Sequence, residues 1–165
     1  MKPSHVFYLH GFASSARSTK AGYFADRLRP HGLELRCPDF NEPDFATMTM
    51  TRMLDRLGAE LEALPPGPVA LIGSSLGGAL AILAADRLPR VDRLLLLAPA
   101  VMFSRPGHHL LPPDKLAAWQ RDGAMAFFHY AYGEERRLNV SFHADSLQYD
   151  PMTATVRQPA LVFQG

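Results

Sequence analysis

Apolar and polar positions along this chain change their period repeatedly, and each change marks an element. Val6-Phe7-Tyr8-Leu9 is a short apolar run rich in aromatic and β-branched residues. It stops at His10-Gly11-Phe12, the pattern of a buried strand feeding a loop. Residues 18–30 carry helical spacing, with Tyr23, Phe24 and Leu28 on one face and Pro30 and Gly32 at the end. Leu33 to Cys37 alternates apolar with charged and closes at Pro38-Asp39, which predicts a second strand. Phe40 to Thr47 is a loop containing Pro43. The clearest helix follows: Met50, Met53, Leu54, Leu57, Leu61 and Leu64 recur at helical spacing, and charged residues fill the remaining surface. Pro65-Pro66-Gly67-Pro68 stops it.

Val69 to Ile72 is continuously apolar and predicts a third strand. Leu76 to Leu88 is apolar nearly all round, so it predicts a helix buried on every side, ended by Asp86-Arg87 and Pro89. Arg93 to Ala98 contains four consecutive leucines, a fourth strand by its length and flanking Pro99. Pro159 to Gly165 predicts a fifth. Strands alternating with single helices require crossover connections. The expected fold is therefore α/β, a doubly wound and mainly parallel sheet with helices on both faces.

The alternation breaks between Ala100 and Gln158. Pro112-Pro113-Asp114 can start a helix covering Leu116, Trp119 and Gln120. Ala124 to Tyr132 carries Met125, Phe127, Phe128, Tyr130 and Tyr132, and Val140 to Tyr149 has room for another short helix. The segment is too apolar and aromatic for disorder. Residues 100–158 are expected to be a helical, lid-like insertion within a single domain spanning 1–165.

The chemistry concentrates at Gly73-Ser74-Ser75-Leu76-Gly77. A buried strand ends there, the chain turns on Ser75, and a helix begins, which is the context in which a Gly-x-Ser-x-Gly pentapeptide presents a nucleophile. Gly73 and Gly77 flank the turn because a side chain at either would collide with a neighbouring strand or helix. The stretch is not a phosphate loop, since no Lys follows its last Gly.

Bulk properties narrow the remaining classes. The chain has 165 residues, 47% hydrophobic and 20% charged, with a formal net charge of +1. That is an ordinary globular balance with no reason to expect nucleic acid as a partner. Cys37 is the single cysteine, so no intrachain disulfide forms, and it reads as a small apolar residue at a strand end. Val6 to Leu9 is too short for a signal-peptide core, and no stretch approaches a membrane span. The expected compartment is the cytoplasm. No His, Cys, Asp or Glu spacing suggests a metal, and no cofactor is expected.

The pairing of His10-Gly11-Phe12 after one strand with Gly73-to-Gly77 after another resembles the α/β-hydrolase superfamily. Tyr8-Leu9-His10-Gly11-Phe12-Ala13-Ser14-Ser15, with Ser18 and Lys20 just after, looks like its small bacterial esterases of the YqiA type. The resemblance implies Ser75 as the nucleophile and the backbone N–H groups of Phe12 and Leu76 as the oxyanion hole. His10, Gly11, Gly73 and Gly77 support the two loops. The implied substrate is a small-molecule carboxylic ester. A thioesterase or other acyl hydrolase shares every motif, and a non-catalytic binding module of the same fold is the alternative from another class. Oligomeric state is not legible.

In these enzymes the chain order is nucleophile, then acid, then His. Both partners are therefore expected beyond Gly165, with a final strand and helix, as if the sequence were an incomplete copy of a longer hydrolase. The histidines present have plainer roles. His10 should hold its loop by hydrogen bonds. His108 and His109 read as surface loop, His129 and His143 as packing, and His5 and His31 as exposed. Asp145 and Asp150 suit capping or turn roles. The insertion aromatics, with Met102, Phe103 and Met125, could line an acyl pocket or form a small core of their own.

Overall fold

The computed structural model describes residues 4–105 and 111–164. His108 and His109 lie outside them. Five parallel strands form one sheet: β1 (His5–Leu9), β2 (Leu35–Arg36), β3 (Val69–Ser74), β4 (Val91–Leu97) and β7 (Ala160–Phe163). Their spatial order is β2-β1-β3-β4-β7. The chain leaves β1 toward one edge and returns to the other side at β3. That reversal is the switch point at which doubly wound sheets bind ligands.

Alternation along the strands sorts the core into two layers. Phe7, Leu9, Leu71, Leu94 and Leu96 face α2 (Met50–Glu62) and α3 (Leu76–Arg87). Val6, Tyr8, Ala70, Ile72 and Leu95 face α1 (Thr19–Leu28). Helix α2 buries Met50, Met53, Leu54, Leu57 and Leu61, the stripe its spacing predicts, and Thr49 caps it by accepting from the Arg52 N–H. Ser18 caps α1 in the same way through the Ala21 N–H. The inward face of α1 differs from expectation. Ala21, Phe24 and Leu28 pack inward, while Tyr23 is 55% exposed and carries the Arg27 guanidinium on its ring.

The 100–158 segment is not wholly helical, which corrects the expected helical lid. Between α4 (Pro113–Asp122) and α5 (Ser141–Ser146) runs an antiparallel hairpin, β5 (Ala124–His129) and β6 (Glu134–Asn139). The reason is visible in β5. Met125, Phe127 and His129 turn inward, while Ala126 and Phe128 point out, a period of two that the crowded aromatics obscure. Strand β6 is Glu-Glu-Arg-Arg-Leu-Asn, with only Leu138 fully buried, so it carries almost no apolar signal. Gly133, at φ 68°, turns the hairpin. No helix among the described residues is long and apolar enough to cross a membrane.

At the far edge, Leu161, Val162 and Phe163 of β7 are each more than half exposed.

Candidate active site

Strand β3 runs straight into α3 through Ser75, whose φ of 53° and ψ of −117° lie where a side chain is strained. Such a residue costs about 1–3 kcal/mol unless its surroundings hold it. Here they do. The Ser75 N–H donates to the Leu97 carbonyl at 3.0 Å, and the Ser75 carbonyl accepts from Gly78, Ala79 and Ala100. A Cβ at Gly73 would overlap the Gly77 carbonyl, and one at Gly77 would overlap the Leu9 carbonyl of β1. The two glycines let α3 start directly above the ends of β1 and β3. Every residue from Val69 to Ala85 is buried except Ser75, which is exposed.

The loop after β1 lies against this turn. A Cβ on Gly11 would sit 3.3 Å from the Ser74 carbonyl oxygen and 3.4 Å from Ser75 Cβ. His10 is buried; its Nδ1 donates to the Gly11 carbonyl at 2.9 Å, and its Nε2 accepts from the Phe40 N–H at 3.0 Å. These two bonds give it the loop-holding place expected from the sequence. Neighbouring Asp39 is held below the usual carboxylate range by the His10 ring, and next by the Asn41 backbone N–H. Among the described residues neither the Phe12 N–H nor the Ser75 hydroxyl has a hydrogen-bond partner. The Leu76 N–H is the first of α3, a position with no intrahelical acceptor.

The insertion braces the same loop. Tyr130 N–H donates to the carbonyl of Ala13, itself at φ 53°. The Asn41 amide donates to the Ser14 carbonyl at 2.8 Å, and its oxygen accepts from His129 Nε2 at 3.0 Å. His129 is fully buried, stacked on Tyr132 and edge-on to Phe45, and its Nδ1 has no partner. Burial pushes its pKa down, and the charge of Arg136 adds to this, against Asp39. The segment is thus built into the wall of the site. Asn41 and His129 are site-supporting residues that sequence reasoning missed. Neither belongs to a motif, and their partnership spans 88 positions.

Over the turn lies a cavity of about 230 Å³. Phe12, Ser75 and Leu76 form its floor, and Phe103, Leu116, Trp119, Phe127 and Phe142 wall it. Of the insertion residues singled out in the sequence, Phe103, Trp119 and Phe127 line this cavity, while Phe128, Tyr130 and Tyr132 are exposed; Phe127 lies edge-on to Phe12 and Trp119, so the wall is also a small core. The buried Trp119 indole donates to the Leu138 carbonyl, which joins α4 to β6. His143 also lines the cavity, packed beside Trp119. The remaining described acids and histidines stay apart. Asp145 accepts from Thr51 at the start of α2, Asp150 pairs with Arg105, and His5 bonds the Pro65 carbonyl.

Comparison with known proteins places this geometry. Residues 5–158 match the model of an uncharacterised protein family, UPF0227. No curated protein sequence matches the chain. Among solved structures, the α/β-hydrolase domain-containing protein 10 from mouse superposes with a TM-score of 0.79 at 22% identity, over 100% of this chain and 70% of that one. Est1E from Butyrivibrio proteoclasticus, with ferulic acid bound, gives 0.76 at 18% identity, over 95% and 66%. The α/β-hydrolase GrgF from Penicillium sp. sh18 gives 0.71 at 16%, over 97% and 70%. At these identities the likeness is one of fold, and the chain spans 66–70% of the length of these hydrolases.

Proposed function

The chain belongs to the UPF0227 family and has the α/β-hydrolase fold, and on that premise we propose that it is a serine hydrolase of carboxylic esters. The Ser75 oxygen attacks the ester carbonyl carbon, and an acyl-Ser75 ester forms. The carbon–oxygen bond to the leaving group breaks, and the alcohol departs with the proton Ser75 has lost. Water then releases the acyl group as a carboxylic acid and restores the hydroxyl. Negative charge on the carbonyl oxygen is met by the Phe12 and Leu76 N–H groups. Loss of one such donor typically costs roughly 10²- to 10³-fold in turnover. His10, Gly11, Gly73 and Gly77 support this arrangement without touching substrate.

One observation carries the reading: in a run of buried residues, the single exposed side chain is a hydroxyl on a strained turn, opening into an apolar cavity. The cavity suits the acyl part of the substrate. A thioester would be attacked in the same way.

A base is needed to activate Ser75, and the proposal assigns that role, and the acid behind it, to none of the described residues. Release of p-nitrophenol from p-nitrophenyl butyrate, compared with Ser75→Ala, tests the proposal. A Ser75-dependent rate is expected. No difference between the two proteins would sink the hydrolase reading. It would favour a non-catalytic binding module, the alternative that the unpartnered hydroxyl supports.

A further inference from the structure

Two more cavities meet at Ser75, on the side away from the aromatic pocket. One is bounded by Tyr8, Gly11, Phe12, Ser14, Ser18, Thr19, Lys20, Ser74 and Ser75, with a volume of about 310 Å³. The other runs from Lys20, Ser74 and Ser75 toward the ends of β4 and β7. Their character is opposite to that of the aromatic pocket. Hydroxyl groups dominate the first, and those of Ser18 and Ser74 act on Tyr8, offsetting part of the upward push that burial gives its pKa. Lys20 is the residue the two cavities share besides the serines.

The charges around Ser75 are one-sided. None of the three cavities is lined by Asp or Glu. Six arginines elsewhere, Arg29, Arg56, Arg93, Arg105, Arg121 and Arg136, have carboxylate partners. Among the described residues Lys20 has none, and it projects from the first turn of α1 at the mouth of the polar cavities. A cation without a partner and hydroxyl donors beside it make a site that favours an anion; the nearest carboxylate, Asp39, lines an adjoining cavity with Ser14, Ser18 and Thr19 and is already bonded to Asn41.

We propose that the substrate is an ester or thioester whose leaving group carries a carboxylate or phosphate, which Lys20 and the neighbouring hydroxyls of Ser14, Ser18 and Thr19 receive while the acyl group fills the aromatic cavity. The proposal rests on Ser75 being the reacting residue. It assigns Lys20 to binding and leaves the covalent steps unchanged.

Binding to the Ser75→Ala protein tests it, since no turnover can intervene. The probes are 4-(hexanoyloxy)benzoate, its neutral methyl ester and 4-(hexanoyloxy)phenyl phosphate, titrated by calorimetry at low salt. The two anions are expected to bind about fivefold tighter than the neutral ester, the order of a partly exposed charge pair. The preference falls with added salt, is lost in Lys20→Gln and is kept in Lys20→Arg. Comparing the two anions tells carboxylate from phosphate. Equal affinity for charged and neutral probes overturns the proposal, as does a preference that survives Lys20→Gln, or no binding of any probe. Failure of the nucleophile reading shows elsewhere, as absence of a fluorophosphonate adduct on Ser75, with these affinities untouched.

Discussion

The Ser75 turn and the 100–158 insertion meet at one cavity but are held by different means. The turn is fixed by main chain and by the absence of side chains: four backbone bonds to Ser75, and glycines where a Cβ would strike a carbonyl. The insertion is tied by two main-chain bonds of its hairpin, Tyr130 to Ala13 and Asn139 to Ala46, and otherwise by side chains: Trp119 to Leu138, His129 to Asn41, Asp145 to Thr51, and Ser104 to the Tyr149 carbonyl. The first arrangement is a single close-packed knot of main chain and cannot yield without losing the fold. The second is a set of separate contacts that can fail one at a time, so damage there should change the pocket and spare the Ser75 turn.

The largest expected effect tests the main-chain half. In Gly77→Ala the new methyl group meets the Leu9 backbone, which has no free room to retreat. Loss of soluble, folded protein is expected, read by yield and circular dichroism. Gly22→Ala in α1, where a Cβ meets nothing within 4 Å, should instead stabilise by about 0.5–1 kcal/mol. A folded Gly77→Ala protein would break the contrast.

Next comes Trp119→Ala. Removing this buried side chain should cost about 3–5 kcal/mol by the usual measure of aromatic truncation, read from urea unfolding. Hydrogen exchange should quicken in α4 and the β5–β6 hairpin while β3 and α3 stay protected. Equal loosening of β3 would show that the two regions are one cooperative unit.

The smallest effect concerns pH. His129 has a pKa held below its ordinary value of about 6.5 by burial first. The unfolded chain therefore binds a proton that the folded chain resists. Stability from this group is fully present above about pH 6.5 and is lost as pH falls from there through the folded pKa. Protonation also sets a cation against Tyr132, whose ring already carries the Arg136 guanidinium. Urea midpoints between pH 7.5 and 5.5 should fall in the wild type and flatten in His129→Phe. An unchanged slope would remove His129 as its source.

The same contrast explains what could be read in advance. Strands β1, β3 and β4 and helices α2 and α3 were legible because each carries its signal within about a dozen residues: an apolar run, a stripe, or a glycine-flanked serine. The hairpin was not. Strand β5 alternates among aromatics that also fit a helix, and β6 exposes Glu134 to Arg137 to solvent. Nothing near Asn41 announces a bond to His129, because that bond exists only once the sheet and insertion have met. Tyr23 misled for the opposite reason: it has helical spacing with Phe24 and Leu28, yet the Arg27 side chain, rather than the core, covers it. Placement of Ser75, Phe12 and Leu76 at one cavity could be anticipated from their motifs. The polar cavities on the Lys20 side could not, since they need the folded proximity of α1 and β3.

The Ser75 carbonyl, with three N–H groups upon it, has a consequence for evolution. Two of the donors, Gly78 and Ala79, lie in α3, the third, Ala100, is the first residue of the insertion, and none comes from the hairpin or from α4 and α5. Mutations that reshape the aromatic walls therefore leave the posture of the hydroxyl alone. Under the proposed function, changes at Phe103, Leu116 or Phe142 would alter which acyl groups fit without disturbing the turn that presents Ser75.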